Sequence, residues 1–118
     1  SICYDLRFPV WLRNRDDYDL AICVANWPSK RQIAWSTLLR ARAIENISYS
    51  CGVNVTGVDG AGVAYAGGSS IFDPVGEPVA EHFEDRVVAT HTLSGALLVE
   101  TRSNFPANLD NDKFSLEY

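Results

Sequence analysis

From Leu20 to Ala25 every residue is apolar, on even and odd positions alike. Side chains on a strand alternate between two faces, so a strand of this kind needs cover on both sides. It belongs in mid-sheet, inside a layered α/β fold. Asn26-Trp27-Pro28 closes the run, because Pro28 has no N–H for a ladder and pushes Trp27 out of helical geometry.

The following segments read as alternating elements. Ser29 is a suitable N-cap for a long helix from Lys30 to about Ser48, with Ala34, Leu38 and Ala41 on one face and Ile44 and Ile47 flanking it. Glu45 falls on that face, where it pairs with an arginine such as Arg7 or Arg42 or else sits exposed at the stripe's edge. Residues 47–56 then alternate, giving a strand over about Tyr49–Val55 with one apolar side and one side of small polar groups. Gly57 to Gly68 reads as a glycine-rich loop without the context of a phosphate cradle. Ser69 to Glu81 reads as a β-hairpin turned by Asp73-Pro74-Val75-Gly76. Arg86 to Leu93 has the pattern of a further strand, and Ser94 caps a short helix from Gly95 to about Arg102, stopped before Pro106. Phe105, Phe114 and Tyr118 are aromatic anchors in an otherwise polar tail.

A chain of 118 residues is enough for one modest domain. Its net charge of −5 argues against phosphate-backbone binding, so no nucleic-acid partner is expected. No apolar run approaches bilayer length, so no membrane partner is expected either. Cys3, Cys23 and Cys51 are widely spaced and no pair has zinc-ligand spacing, so no metal is expected. Cys23 and Cys51 lie in strand-like runs and read as buried structural thiols. A reducing, cytoplasmic setting is the simplest one for them. His82 in a polar connector and His91 on a strand belong to no ligand or catalytic pattern and read as structural or exposed.

The chemistry concentrates in Ser1-Ile2-Cys3-Tyr4-Asp5-Leu6-Arg7-Phe8-Pro9-Val10-Trp11. A short apolar lead-in reaches Cys3, and Pro9 suits the opening of a helical run over residues 9–13. Cys3 is therefore expected on a turn between a strand and a helix. There the N–H of Tyr4 is free to donate beside the thiol. An attacking group next to an unpaired donor is what acyl transfer requires. A lone cysteine is also, as a rule, a small buried hydrophobe, and spacing alone leaves both readings open.

The wording of the stretch resembles the nucleophile motif of the nitrilase superfamily, the carbon–nitrogen hydrolases. The resemblance extends through Ala25-Asn26-Trp27-Pro28, Ala41-Arg42-Ala43-Ile44-Glu45-Asn46, Gly52-Val53-Asn54 and the run from Gly68 to Gly76. Within that superfamily it is most similar to the bacterial omega-amidases, which hydrolyse the side-chain amide of 2-oxoglutaramate or 2-oxosuccinamate. It implies an α-β-β-α sandwich, a small-molecule amide substrate and a homodimer; no cofactor is expected. It also implies a thioester mechanism, with Cys3 as nucleophile and the Tyr4 N–H as one oxyanion donor. The family's catalytic lysine and glutamates precede the cysteine, and no residue here matches them. The chain opens inside the motif and contains no methionine. It is thus expected to be the C-terminal part of a longer protein and inactive alone.

Asn26 and Trp27 follow a strand beside the expected site, and Ser29-Lys30-Arg31 opens the next helix. A helix start with adjacent cations favours a carboxylate. Asn26, Trp27 and Arg31 are therefore the candidate substrate-binding residues. The competing readings are another amidase, nitrilase or carbamoylase of the same superfamily, or a non-catalytic interaction module in which Cys3 is a core thiol.

Overall fold

The computed structural model describes residues 1–85 and 88–117. Strand β1 (Leu20–Ala25) leads to helix α1 (Gln32–Asn46) and strand β2 (Tyr49–Asn54). A small hairpin of β3 (Thr56–Val58) and β4 (Ala64–Ala66) comes next, then a larger one of β5 (Ser69–Phe72) and β6 (Pro78–His82), and finally helix α2 (Gly95–Asn104). The main sheet runs β1-β2-β5-β6. β1 and β2 are parallel, as a strand–helix–strand crossover demands, and the two remaining pairings are antiparallel. This is the expected α/β class, with a slab only 19 Å through its thinnest dimension.

One sheet face is covered by α1 and holds the core of Leu6, Cys23, Trp27, Trp35, Leu39, Ala43 and Phe72. The helix lies close because Gly52 leaves room: a Cβ there would stand 2.7 Å from Trp35 Cζ2 and closer still to Leu39 Cδ1. The Trp35 indole N–H donates to the Gly68 carbonyl at 2.7 Å, tying the helix to the start of β5. The opposite face is apolar and, apart from Tyr49 beneath Ser94, largely bare. Ile22 is 51% exposed and Val53 49%.

That bare face corrects the expectation for β1. Cys23 is buried, but Leu20, Ile22 and Val24 are exposed, and the strand is the outermost of the four, flanked only by the parallel bridge from Ile2 to Val24. The long helix is present, but its buried face is Trp35, Leu39, Arg42, Ala43 and Asn46, about one residue round from the expected stripe, and Ile44 is exposed. Arg42 and Asn46 find polar partners inside: both Arg42 Nη groups donate, to Glu45 and to the Leu6 carbonyl, while its Nε has no partner among the described residues, and Asn46 accepts from the N–H of Asn14. Ser29 does not cap α1 with its side chain; it opens a 3₁₀ turn, Ser29–Arg31, ahead of the helix.

In β2 the small polar side, Ser50, Gly52 and Asn54, faces α1, while Val53 faces out. Cys51 is only half-buried, unlike Cys23. The glycine-rich stretch 57–68 is not a structureless loop but carries the β3–β4 hairpin, whose tip is held by Asp59 accepting from Ala61 N–H, Val63 N–H and the Tyr65 hydroxyl. The 69–81 hairpin and its turn form as expected, with the Gly76 N–H donating to the Asp73 carbonyl at 2.9 Å.

No strand forms over 88–93, and Arg86 and Val87 lie outside the described residues. His82 instead ends β6, and its Nε2 stands 2.9 Å from Nε2 of His91, which is on no strand. Ser94 caps α2 by accepting from the Leu97 N–H, and that helix runs two residues further than expected, to Asn104. In the tail, Phe114 lies beside the guanidinium groups of Arg13 and Arg15, Phe105 is exposed, and Tyr118 lies outside the described residues.

Candidate active site

Ile2 makes a parallel bridge to Val24 in extended conformation, and the chain then turns abruptly. Cys3 takes φ 43°, a left-handed value that costs a non-glycine residue about 1–2 kcal/mol. Such strain persists only where neighbours fix it. Here the Ile2 N–H donates to Asp5 Oδ2 at 2.9 Å, and the Asp5 N–H donates to the Ile2 carbonyl at 3.0 Å. A 3₁₀ helix, Cys3–Arg7, follows at once. The strand-to-helix bend at Cys3 is thus present, but the helix begins at the cysteine. Residues 9–12 form only a turn, because Val10 and Trp11 are exposed and have no surface to pack on.

Cys3, Tyr4, Arg7, Asn26, Trp27, Pro28 and Arg31 line one cavity of about 230 Å³. All five residues singled out from the sequence, Cys3, Tyr4, Asn26, Trp27 and Arg31, are therefore brought together. Among the described residues the Tyr4 N–H has no hydrogen-bond acceptor. Neither the Asn26 carboxamide nor the Arg31 guanidinium makes a hydrogen bond or ion pair among them, though Arg31 acts electrostatically on the Tyr65 hydroxyl. Trp27 differs: it is buried, and its indole N–H is committed to the Arg31 carbonyl at 2.9 Å. It forms wall and floor rather than a polar contact. Arg7, which sequence reasoning used only as a possible partner for Glu45, lies over the Trp27 ring at 5.0 Å.

Asn54 organises this corner from below and was not singled out. Its Oδ1 accepts the Trp27 N–H at 2.7 Å, and its Nδ2 donates to the carbonyls of Trp27 at 3.1 Å and Gly67 at 2.8 Å. The sequence shows Asn54 only as one polar member of an alternating strand, and its partners are distant along the chain.

The other thiols lack this setting. Burial pushes the pKa of both Cys23 and Cys51 up. A larger hollow, about 570 Å³, lies over β2 and β5 and includes Cys51, His82 and His91. It is the bare apolar side of the sheet, and Cys51 sits mid-strand in a ladder, with no bend to free a donor beside it. Chemistry therefore points to the smaller cavity. Among the described residues no three His, Cys, Asp or Glu side chains gather as a metal site. No helix among them is long and apolar enough to cross a membrane.

Residues 1–103 match the model of the carbon–nitrogen hydrolase family. The chain belongs to that family. An omega-amidase of Escherichia coli K12, YafV, is 52% identical over 98% of this chain and 45% of its own length. A 2-oxoglutaramate amidase of Paenarthrobacter nicotinovorans is 44% identical over 90% of this chain and 36% of its own. The crystal structure of XC1258 from Xanthomonas campestris, a CN-hydrolase superfamily protein with an arsenic adduct in its active site, superposes with TM-score 0.95. It is 52% identical and covers 99% of this chain, which covers 47% of it. This carbon–nitrogen hydrolase chain therefore spans somewhat less than half the length of these relatives.

Proposed function

We propose that this chain is the nucleophile-bearing, C-terminal portion of an omega-amidase acting on 2-oxoglutaramate or 2-oxosuccinamate. The observation that carries the reading is the left-handed bend at Cys3, opening on a cavity beside the partner-free Tyr4 N–H. In the proposed reaction the Cys3 thiolate adds to the amide carbon, and the developing oxyanion is held by the Tyr4 N–H. The C–N bond breaks, ammonia leaves with the proton it needs, and a thioester remains. Water then cleaves the S–C bond to give the 2-oxo diacid and restore the thiol.

Proton transfer requires a general acid–base at the leaving nitrogen. Among the described residues no group lines the cavity in that capacity: the lining holds no carboxylate, histidine or lysine. The base and the second oxyanion donor are assigned to the remainder of the protein, so the 118-residue chain alone is expected to be inactive. The substrate's carboxylate is assigned to Arg31 and Asn26, which line the same cavity and make no side-chain hydrogen bond or ion pair among the described residues. Trp27 supplies the apolar wall between them and the sulfur. The reading includes a homodimer, consistent with large exposed side chains such as Trp11 and Ile33, and a cytoplasmic setting, consistent with three free thiols.

The test is made on the full-length protein. It should release ammonia from 2-oxoglutaramate in preference to nitriles and carbamoyl amino acids. Iodoacetamide should modify Cys3 faster than Cys23 or Cys51, with parallel loss of turnover. Equal inertness of the three thiols, or preference for a nitrile, would overturn the assignment.

A further inference from the structure

Arg42 lies on the buried side of α1 with only 4% of its surface exposed. A guanidinium so placed is costly unless hydrogen-bonded and paired, and a buried pair adds little stability over an apolar residue of the same size. Its position therefore calls for a reason other than packing. One Nη donates to Glu45 Oε1 at 2.7 Å, and the other donates to the backbone carbonyl of Leu6 at 2.7 Å. Leu6 belongs to the 3₁₀ helix that begins at Cys3, and its side chain is sealed in the core. The last carbonyls of a helix have no acceptor role within it, and Arg42 occupies one of them from a neighbouring element.

The turn is thus held at both ends. Ile2 and Asp5 clasp its start, and Arg42 clasps its finish. Between the two clasps stand Cys3 and the Tyr4 N–H. Glu45 keeps the fork aimed: it draws one Nη along the helix and leaves the other pointing at Leu6. Its own side chain is 41% exposed, so it stays solvated while it does this.

We propose that Arg42 is a positioning residue, oriented by Glu45, which fixes the bend at Cys3 through the Leu6 carbonyl and so aligns the sulfur with its oxyanion donor. The proposal rests on the assignment of Cys3 as nucleophile. It adds that the arginine–glutamate pair on α1 serves alignment of that turn rather than stability alone.

The test uses the full-length protein with Arg42→Gln, Arg42→Lys and Glu45→Gln. Three readouts are taken on the folded fraction: kcat, KM for 2-oxoglutaramate, and the rate of Cys3 alkylation against pH. Removing a charged hydrogen bond that acts on the bend should lower kcat by about 10- to 100-fold in Arg42→Gln, with KM within about threefold of the parent. Cys3 alkylation should slow in step. Arg42→Lys, which keeps the charge but not the two-pronged geometry, should recover part of the loss. Glu45→Gln leaves the buried guanidinium in place and is expected to fold, so it carries the test if Arg42→Gln does not. It should show a smaller kcat loss of about three- to tenfold with KM held. A fall in melting temperature with kcat, KM and alkylation rate all unchanged would overturn the proposal, as would an unaltered kcat in Glu45→Gln. If instead the parent protein neither turns over the amide nor labels at Cys3, the functional assignment fails and not the positioning role in particular.

Discussion

Replacing Asn54 by alanine should be among the most damaging single changes outside the cavity itself. The side chain is nearly sealed from solvent and makes three hydrogen bonds, to the Trp27 N–H at 2.7 Å and to the Trp27 and Gly67 carbonyls at 3.1 and 2.8 Å. Alanine leaves the Trp27 N–H and carbonyl buried and unpaired, at about 1–3 kcal/mol each, while the Gly67 carbonyl keeps the Gln32 side-chain amide as donor at 3.3 Å. A water entering the vacated, polar space re-pairs part of this, which brings the expected loss to about 2–4 kcal/mol. With an m-value of about 2 kcal/mol/M, the urea midpoint of the full-length protein should fall by about 1–2 M at constant m. Asn54→Asp adds a sign test. It keeps the acceptor for Trp27 N–H but turns carboxylate lone pairs toward two carbonyls, so the folded state should favour the protonated acid. A raised folded-state pKa means that stability is complete below about pH 4 and is lost as pH rises. A midpoint shift under about 0.5 M for alanine, or an aspartate variant that gains stability with rising pH, would refute the reasoning.

Other expectations follow from particular contacts. Gly52→Ala forces a methyl into Trp35 and Leu39 and should cost about 1–3 kcal/mol in urea unfolding, with kcat little changed. Arg31→Ala in the full-length protein should raise KM for 2-oxoglutaramate at least about tenfold while kcat changes less, because it removes a contact made to substrate and transition state alike. The Asp59 carboxyl is held below its ordinary pKa, first by the Val63 N–H and then by the Tyr65 hydroxyl. The ordering this gives the β3–β4 tip is present above the ordinary aspartate pKa and is lost as pH falls through the depressed one. Tyr65→Phe should move the Asp59 titration, followed by NMR, back toward its usual range.

Local signals made much of this fold readable. β1, β2, the 69–81 hairpin and both helices follow from apolar runs, alternation, turn residues and a serine cap, all of which act within a few residues. What escaped depends on contacts between distant segments. The face of α1 was misplaced because an apolar count scores Arg42 and Asn46 as outward, yet each has a buried partner across the chain in Leu6 or Asn14. The polar side of β2 turns inward because Gly52 is small enough to fit beneath Trp35 and Leu39, which no alternation rule states. β3 and β4 are three residues each and glycine-flanked, too short to leave a period. The cavity residues were legible as a motif and its neighbours after β1. Asn54 and Arg42, which support them from other elements, were visible only as members of their own strand and helix.

The backbone angle at Cys3 also decides how an inactive version should be made. The conformational cost at that position attaches to any residue with a β-carbon, whatever its side chain. Serine or alanine should therefore inherit the same energy and leave a faithful, unreactive replica suited to capturing an intact amide. Valine, branched at the β-carbon, should resist the angle and weaken the whole turn. Glycine would relax it and loosen the bend that holds the Tyr4 N–H in place.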